Sequence, residues 1–176
     1  MAVNLDSLAI DVADSDTETI VHELEEREGE LCLTFFVPSG RKFALPAFGV
    51  REVISTLADR ITPIPNASPC LLGTFNWRGQ VIWIADLGQF LGDTLLVNVD
   101  RGEVSLLVVE EQEIVMGFAI SNVADTEWLK INQMAITQSI PEGTSAFVKG
   151  EYSLGAGKFL HLLDQVSILS SSRWAN

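Results

Sequence analysis

Residues 31–45, LCLTFFVPSGRKFAL, place two apolar runs, Leu31–Val37 and Lys42–Leu45, on either side of Pro38-Ser39-Gly40. Both runs are short and carry aromatic side chains, and the residues between them favour a turn, with Gly40 free to take a positive φ. The stretch reads as a β-hairpin. The same texture continues outward: Ser105–Val109 and Ile114–Ile120 flank the acidic turn Glu110–Glu113 as a second hairpin, Val81–Ala85 follows Gly79, and Lys158–Leu163 follows Gly155-Ala156-Gly157. Between them, Phe48–Leu57 and Leu87–Leu91 read as helical. Short strands at this spacing predict a mainly β fold, a sandwich or barrel with a few helical turns.

The order of features recurs along the chain. After the first hairpin come Val50–Val53, Pro65, Leu71-Leu72-Gly73 and, thirteen residues beyond that glycine, Asp86. After the second come Val123, Pro141, Phe147-Val148, Gly150 and, fourteen residues on, Asp164. Such self-similarity predicts two similar halves and two small barrels packed together, with apolar faces from LCLTFFV, VIWIA, IVMGFAI and KFLHLL in shared cores.

The 176 residues are 47% hydrophobic, which suits a packed core. Their 24 acidic residues outnumber 11 basic ones, a net charge of −13 that opposes both a phosphate backbone and an anionic membrane surface. No nucleic-acid partner is expected. Residues 1–30 hold ten acidic residues and one Arg, and read as a mobile acidic arm with a nascent helix around Ile20, Val21 and Leu24. The domain itself is expected over residues 31–168, followed by a tail, 169–176. His22 lies in the arm, and a phosphoacceptor role for it would need a bundle of long helices that the pattern does not supply. Cys32, Cys70, His22 and His161 match no zinc-ligand spacing, so neither a metal nor a cofactor is expected. Asp6, Asp11, Asp14 and Asp16 stand where a secretory signal needs a basic start and an apolar run. The longest charge-free stretch, Ile61–Trp77, is broken by Pro63, Pro65 and Pro69. A cytoplasmic protein without direct membrane insertion is the expectation.

The segment Ile64–Leu87, IPNASPCLLGTFNWRGQVIWIADL, combines a Pro-rich approach (Pro65, Pro69), Gly73, the turn Asn76-Trp77-Arg78-Gly79 and a strand, Val81-Ile82 onward, ending in Asp86-Leu87. In this combination it resembles the CheW family, the coupling proteins of bacterial chemosensory signalling. Val50-Arg51-Glu52-Val53 resembles the family's Val-x-Glu-Ile/Val helix, and Val123-Ala124-Asp125, Val148-x-Gly150 and Leu162-Leu163-Asp164 fall where later features are expected. The likeness covers about residues 31–168. Trp77, Trp83 and Gly88 depart from the common pattern and are compatible with divergent members from pilus-based motility or phototaxis systems.

The resemblance implies two SH3-like barrels and a non-enzymatic adaptor. Its partners would be the regulatory domain of a CheA-type histidine kinase and the helical cytoplasmic tip of a chemoreceptor. It places receptor binding near Val50, Gly73, Arg78 and Gly79, with Gly73→Asp expected to weaken that binding and spare the fold. It also implies an ion pair between Glu52 and Arg78 beside the groove between barrels, where partial burial would make loss of either partner cost up to about 3 kcal/mol. The kinase face is expected on exposed apolar side chains of the first barrel.

Read as chemistry alone, Gly73 and Gly79 supply turn conformations or close backbone approach, Asn76 can bond its local backbone, and Asp86 closes the strand. Arg78 offers a planar fork for a carboxylate, and an exposed Arg without a fixed partner is the other reading. Enzyme arrangements fail. No Gly-x-Ser-x-Gly elbow accompanies His161 and Asp164, and His161 sits in the apolar run KFLHLL as a strand residue. Gly73–Gly79 and Gly155–Lys158 lack the Gly-Lys-Ser/Thr ending of a phosphate loop. Glu110, Glu111 and Glu113 form a solvated hairpin tip. A small β-barrel ligand-binding or enzyme-accessory protein, regulated by its acidic arm, is the alternative to the adaptor.

Overall fold

The structure, a computed structural model, describes residues 29–100, 102–136 and 140–175. The expected arm, its short helix and His22 lie outside the described residues, except that Gly29 and Glu30 lead into the first strand. Ten strands follow: β1 (Glu30–Phe36), β2 (Lys42–Pro46), β3 (Val50–Leu57), β4 (Leu71–Trp77), β5 (Gln80–Asp86), β6 (Glu103–Glu111), β7 (Ile114–Ile120), β8 (Asn122–Leu129), β9 (Val148–Gly155) and β10 (Lys158–Leu163). They form two five-stranded sheets, ordered β8-β1-β2-β10-β9 and β3-β6-β7-β5-β4. The fold is mainly β and SH3-like in each sheet, although neither ladder closes fully into a barrel.

The repeat in the sequence is real, and the two halves exchange strands. Each sheet takes its central hairpin from one half (β1-β2 or β6-β7) and its other three strands from the other half, joined by the parallel pairs β2–β10 and β7–β5. The correspondence extends to single residues. Gly73 pairs with Ile84 and Gly150 with Leu162, each next to a register shift. Asp86 Oδ1 then accepts from Gln89 N at 3.0 Å and Asp164 Oδ1 from Ser167 N at 3.2 Å, so each half ends in an Asp that caps a short helix, Leu87–Phe90 or Gln165–Leu169.

Alternation along the strands gives three cores. Ile82, Ile84, Leu106, Val108 and Ala119 fill the curl of the second sheet, and Cys32, Ala44, Leu160 and Leu162 that of the first. The opposite faces meet in the largest core, where Phe35, Phe43 and Leu45 pack with Ala85, Leu107 and Phe118.

Two expectations need correction. Phe48–Leu57 is not a helix: Ala47–Gly49 make one 3-10 turn and Val50–Leu57 is strand β3, paired along its length with β6. The Val50–Val53 segment therefore belongs to a strand as well. Of the expected tail, 169–176, the described residues 169–175 pack on the domain: Leu169 is buried, Trp174 stacks on Phe90 with ring centroids 4.2 Å apart, and the Arg173 guanidinium donates to the carbonyls of Phe90 and Gly143.

Candidate partner-binding site

β3 and β4 are the outer strands of the second sheet, yet the sheet curls until their side chains meet. The Trp77 indole N–H donates to Glu52 Oε2 at 2.7 Å. Arg78 Nε donates to the same oxygen at 3.2 Å, and its Nη2 lies 3.1 Å from it. The guanidinium also sits 5.2 Å from the centre of the Trp77 ring, a cation–π contact. One carboxylate thus ties the two open edges together. The Arg78 side chain is 68% exposed and that of Glu52 36%, so the pair is partly buried at its carboxylate and open to water at its guanidinium.

The turn that carries Arg78 explains its posture. Trp77 pairs with Gln80 across a two-residue connection in which Arg78 has φ +49° and Gly79 φ +81°, the signature of a type I′ hairpin. Asn76 Oδ1 accepts from Gly79 N at 3.0 Å and closes the turn. Gly79 meets the φ requirement freely, whereas Arg78 holds a left-handed conformation that Asn or Gly adopts at less cost. Arg78 at this position holds its guanidinium out in solvent despite that cost.

The remaining sequence-selected residues divide by depth. Gly79 is exposed and Val50 half-buried against the central core. Gly73 is buried, with φ +149°, and a Cβ on it would lie 2.2 Å from the Thr62 carbonyl oxygen. Thr62 and Thr74 exchange backbone hydrogen bonds at 2.8 Å across this spot, so Gly73 exists to let two backbones approach. Gly73→Asp cannot spare the fold, which corrects the earlier expectation. Asp86 is fully buried, holding Gln89 N and also Val97 N at 2.7 Å, and so fixes the loop after β5 from inside. Trp77 is the site residue that the sequence reading counted only as a departure; its pairing with Glu52 needed the curl of the sheet to be visible.

Burial pushes the Cys32 thiol up to about 12 and also raises that of Cys70, so both stay protonated. Among the described residues no group of three His, Cys, Asp or Glu side chains is placed to hold a metal ion, and no helix is long and apolar enough to cross a membrane.

Comparison with known proteins finds a likeness over most of the chain. The family model described as the CheW-like domain matches residues 32–173. Among solved structures, the fold is similar to the scaffolding protein TtCheW from Thermoanaerobacter tengcongensis, with a TM-score of 0.66 and 20% identity, covering 82% of this chain and 95% of that one. No curated protein sequence matches.

Proposed function

The chain belongs to the CheW family, and from that premise we propose that it is a non-enzymatic cytoplasmic scaffold coupling a methyl-accepting type chemoreceptor to a CheA-type histidine kinase. The observation that carries this reading is Arg78, held in a strained turn with its guanidinium exposed on a Trp77–Glu52 platform. Exposed Arg on an aromatic support is a common anchor in protein recognition. The receptor tip, a helical hairpin, would contact Arg78 and Gly79, with Val50 at the margin and Gly73 supporting from beneath. The kinase regulatory domain would dock on apolar side chains of the first sheet, where Leu31 and Trp128 face each other across β1 and β8 and are 37% and 51% exposed. The output system, flagellar, pilus-based or phototactic, depends on the receptor and kinase with which the chain assembles.

Reconstitution with a receptor cytoplasmic fragment and a CheA-type kinase tests the proposal. Arg78→Ala should weaken receptor binding about tenfold while kinase binding and the melting temperature hold. Unchanged receptor affinity in that variant would move the receptor site elsewhere, and failure of the wild-type protein to bind either partner would end the scaffold reading.

A further inference from the structure

The first sheet carries a second site, at the position that corresponds to the Arg78 turn in the other half. The β9–β10 turn, Gly155-Ala156-Gly157, overhangs a cavity of about 410 Å³. That volume lies within the range of small-molecule sites, about 300–1,000 Å³. Strand register relates this place to its twin. Trp83 pairs with Thr74 in one half, and the corresponding pair in the other half is His161 with Glu151, so an imidazole stands where the twin site has a bulky indole.

The lining is unusual for so acidic a chain. Three of the 11 basic residues, Arg41, Lys42 and Lys158, line this one cavity, together with the rings of Phe36 and Phe159. Lys42 is held by Glu127 at 2.7 Å, and Arg41 Nη1 by Asp93 at the same distance. Arg41 Nη2, however, is buried and has no hydrogen-bond partner among the described residues, and Lys158 makes no ion pair among them. Arg41 Nη2 is closed to solvent, so the positive charge that faces the cavity is that of Lys158 and of the exposed part of the Arg41 side chain, 29% open. The aromatic walls select an apolar body to accompany that charge.

We propose that this cavity binds a small organic anion, a carboxylate on a compact aromatic or acyl body, with Arg41 and Lys158 holding the charge and Phe36 and Phe159 the body. The site is independent of the scaffold reading. A metabolite bound on the sheet opposite Arg78 would make the protein responsive to the cell's interior.

The test uses the whole chain and benzoate as probe, followed by amide chemical shifts, with benzamide as the neutral twin and phenyl phosphate to distinguish carboxylate from phosphate. Benzoate is expected to shift the amides of Lys158 and His161 at millimolar concentration, with benzamide at least about tenfold weaker. Stronger binding by phenyl phosphate than by benzoate would overturn the carboxylate assignment. Lys158→Glu, at the exposed start of β10, should abolish the shifts while the rest of the spectrum stays native, and Leu154→Trp at the rim should do the same by filling the space. Equal binding of benzoate and benzamide, shifts confined to other residues, or full binding by both variants would overturn the proposal.

Discussion

Glu52 accepts from two donors of different worth. The Trp77 indole N–H is part-buried and makes the shorter bond, whereas Arg78 is mostly in water, where a pair contributes about 0–1 kcal/mol. Removing the carboxylate therefore costs mainly the indole's bond. We expect Glu52→Ala to destabilise by about 1–2 kcal/mol, Arg78→Ala by less than about 1, and the double-mutant cycle to give a coupling below about 1 kcal/mol by urea denaturation. A coupling near 3 kcal/mol would mean that the pair is shielded from solvent. At this scale the sequence was informative about chemistry and silent about depth. The spacing of Asn76, Arg78 and Gly79 announced the turn, because its φ requirements are local. Nothing local told that Gly73 would face the Thr62 carbonyl from inside the fold, or that Glu52 would reach Trp77 from 25 residues away.

Among the elements, the hairpins were legible since each contains its own turn and partner. β3 was not. Val50, Val53, Ile54 and Leu57 recur at helical intervals, yet Val53 and Leu57 are about half exposed on a strand whose pairing with β6 decides its form. β8 escaped because Asp125, Thr126 and Glu127 make it read as loop, as an outer strand with a wet face can. β10 holds the group with the clearest pH dependence. His161 is buried with Nε2 3.3 Å from Glu151 Oε2, near the rings of Phe43 and Phe159 and within the field of Arg41. Burial, helped by Arg41, lowers its pKa from the ordinary 6.5 despite the pull of Glu151. The folded protein therefore binds fewer protons than the unfolded chain just below pH 6.5, and stability present above that value is lost as pH falls toward the folded pKa. Thermal melts should be level between pH 7 and 8 and decline from pH 6.5 to 5.5, and His161→Gln should flatten the decline. An unchanged slope in that variant would assign the effect to carboxylates.

At the scale of the whole molecule, exchange of strands between halves makes a strong prediction about folding. The segment β1–β5 contains a hairpin whose sheet partners, β8 and β10, lie in the other half, while its β3 and β5 pair with β6 and β7. The largest core likewise draws Phe35 and Phe43 from the first half and Leu107 and Phe118 from the second. Neither half can bury its apolar faces alone, and an isolated hairpin is at best marginal in water. The loop between β5 and β6, by contrast, is fixed by Asp93 and Val97 before residue 98, and a break beyond them removes covalent continuity, whose closure entropy is small. Two polypeptides cut within residues 98–102 should thus each lack a cooperative thermal transition, and should recover one, with native amide shifts, when mixed in equal amounts. The restored midpoint should rise with protein concentration, because association replaces the lost connection. If either fragment melted cooperatively as a monomer, the two halves would be separable units, and their interlocking would not be what holds the fold together.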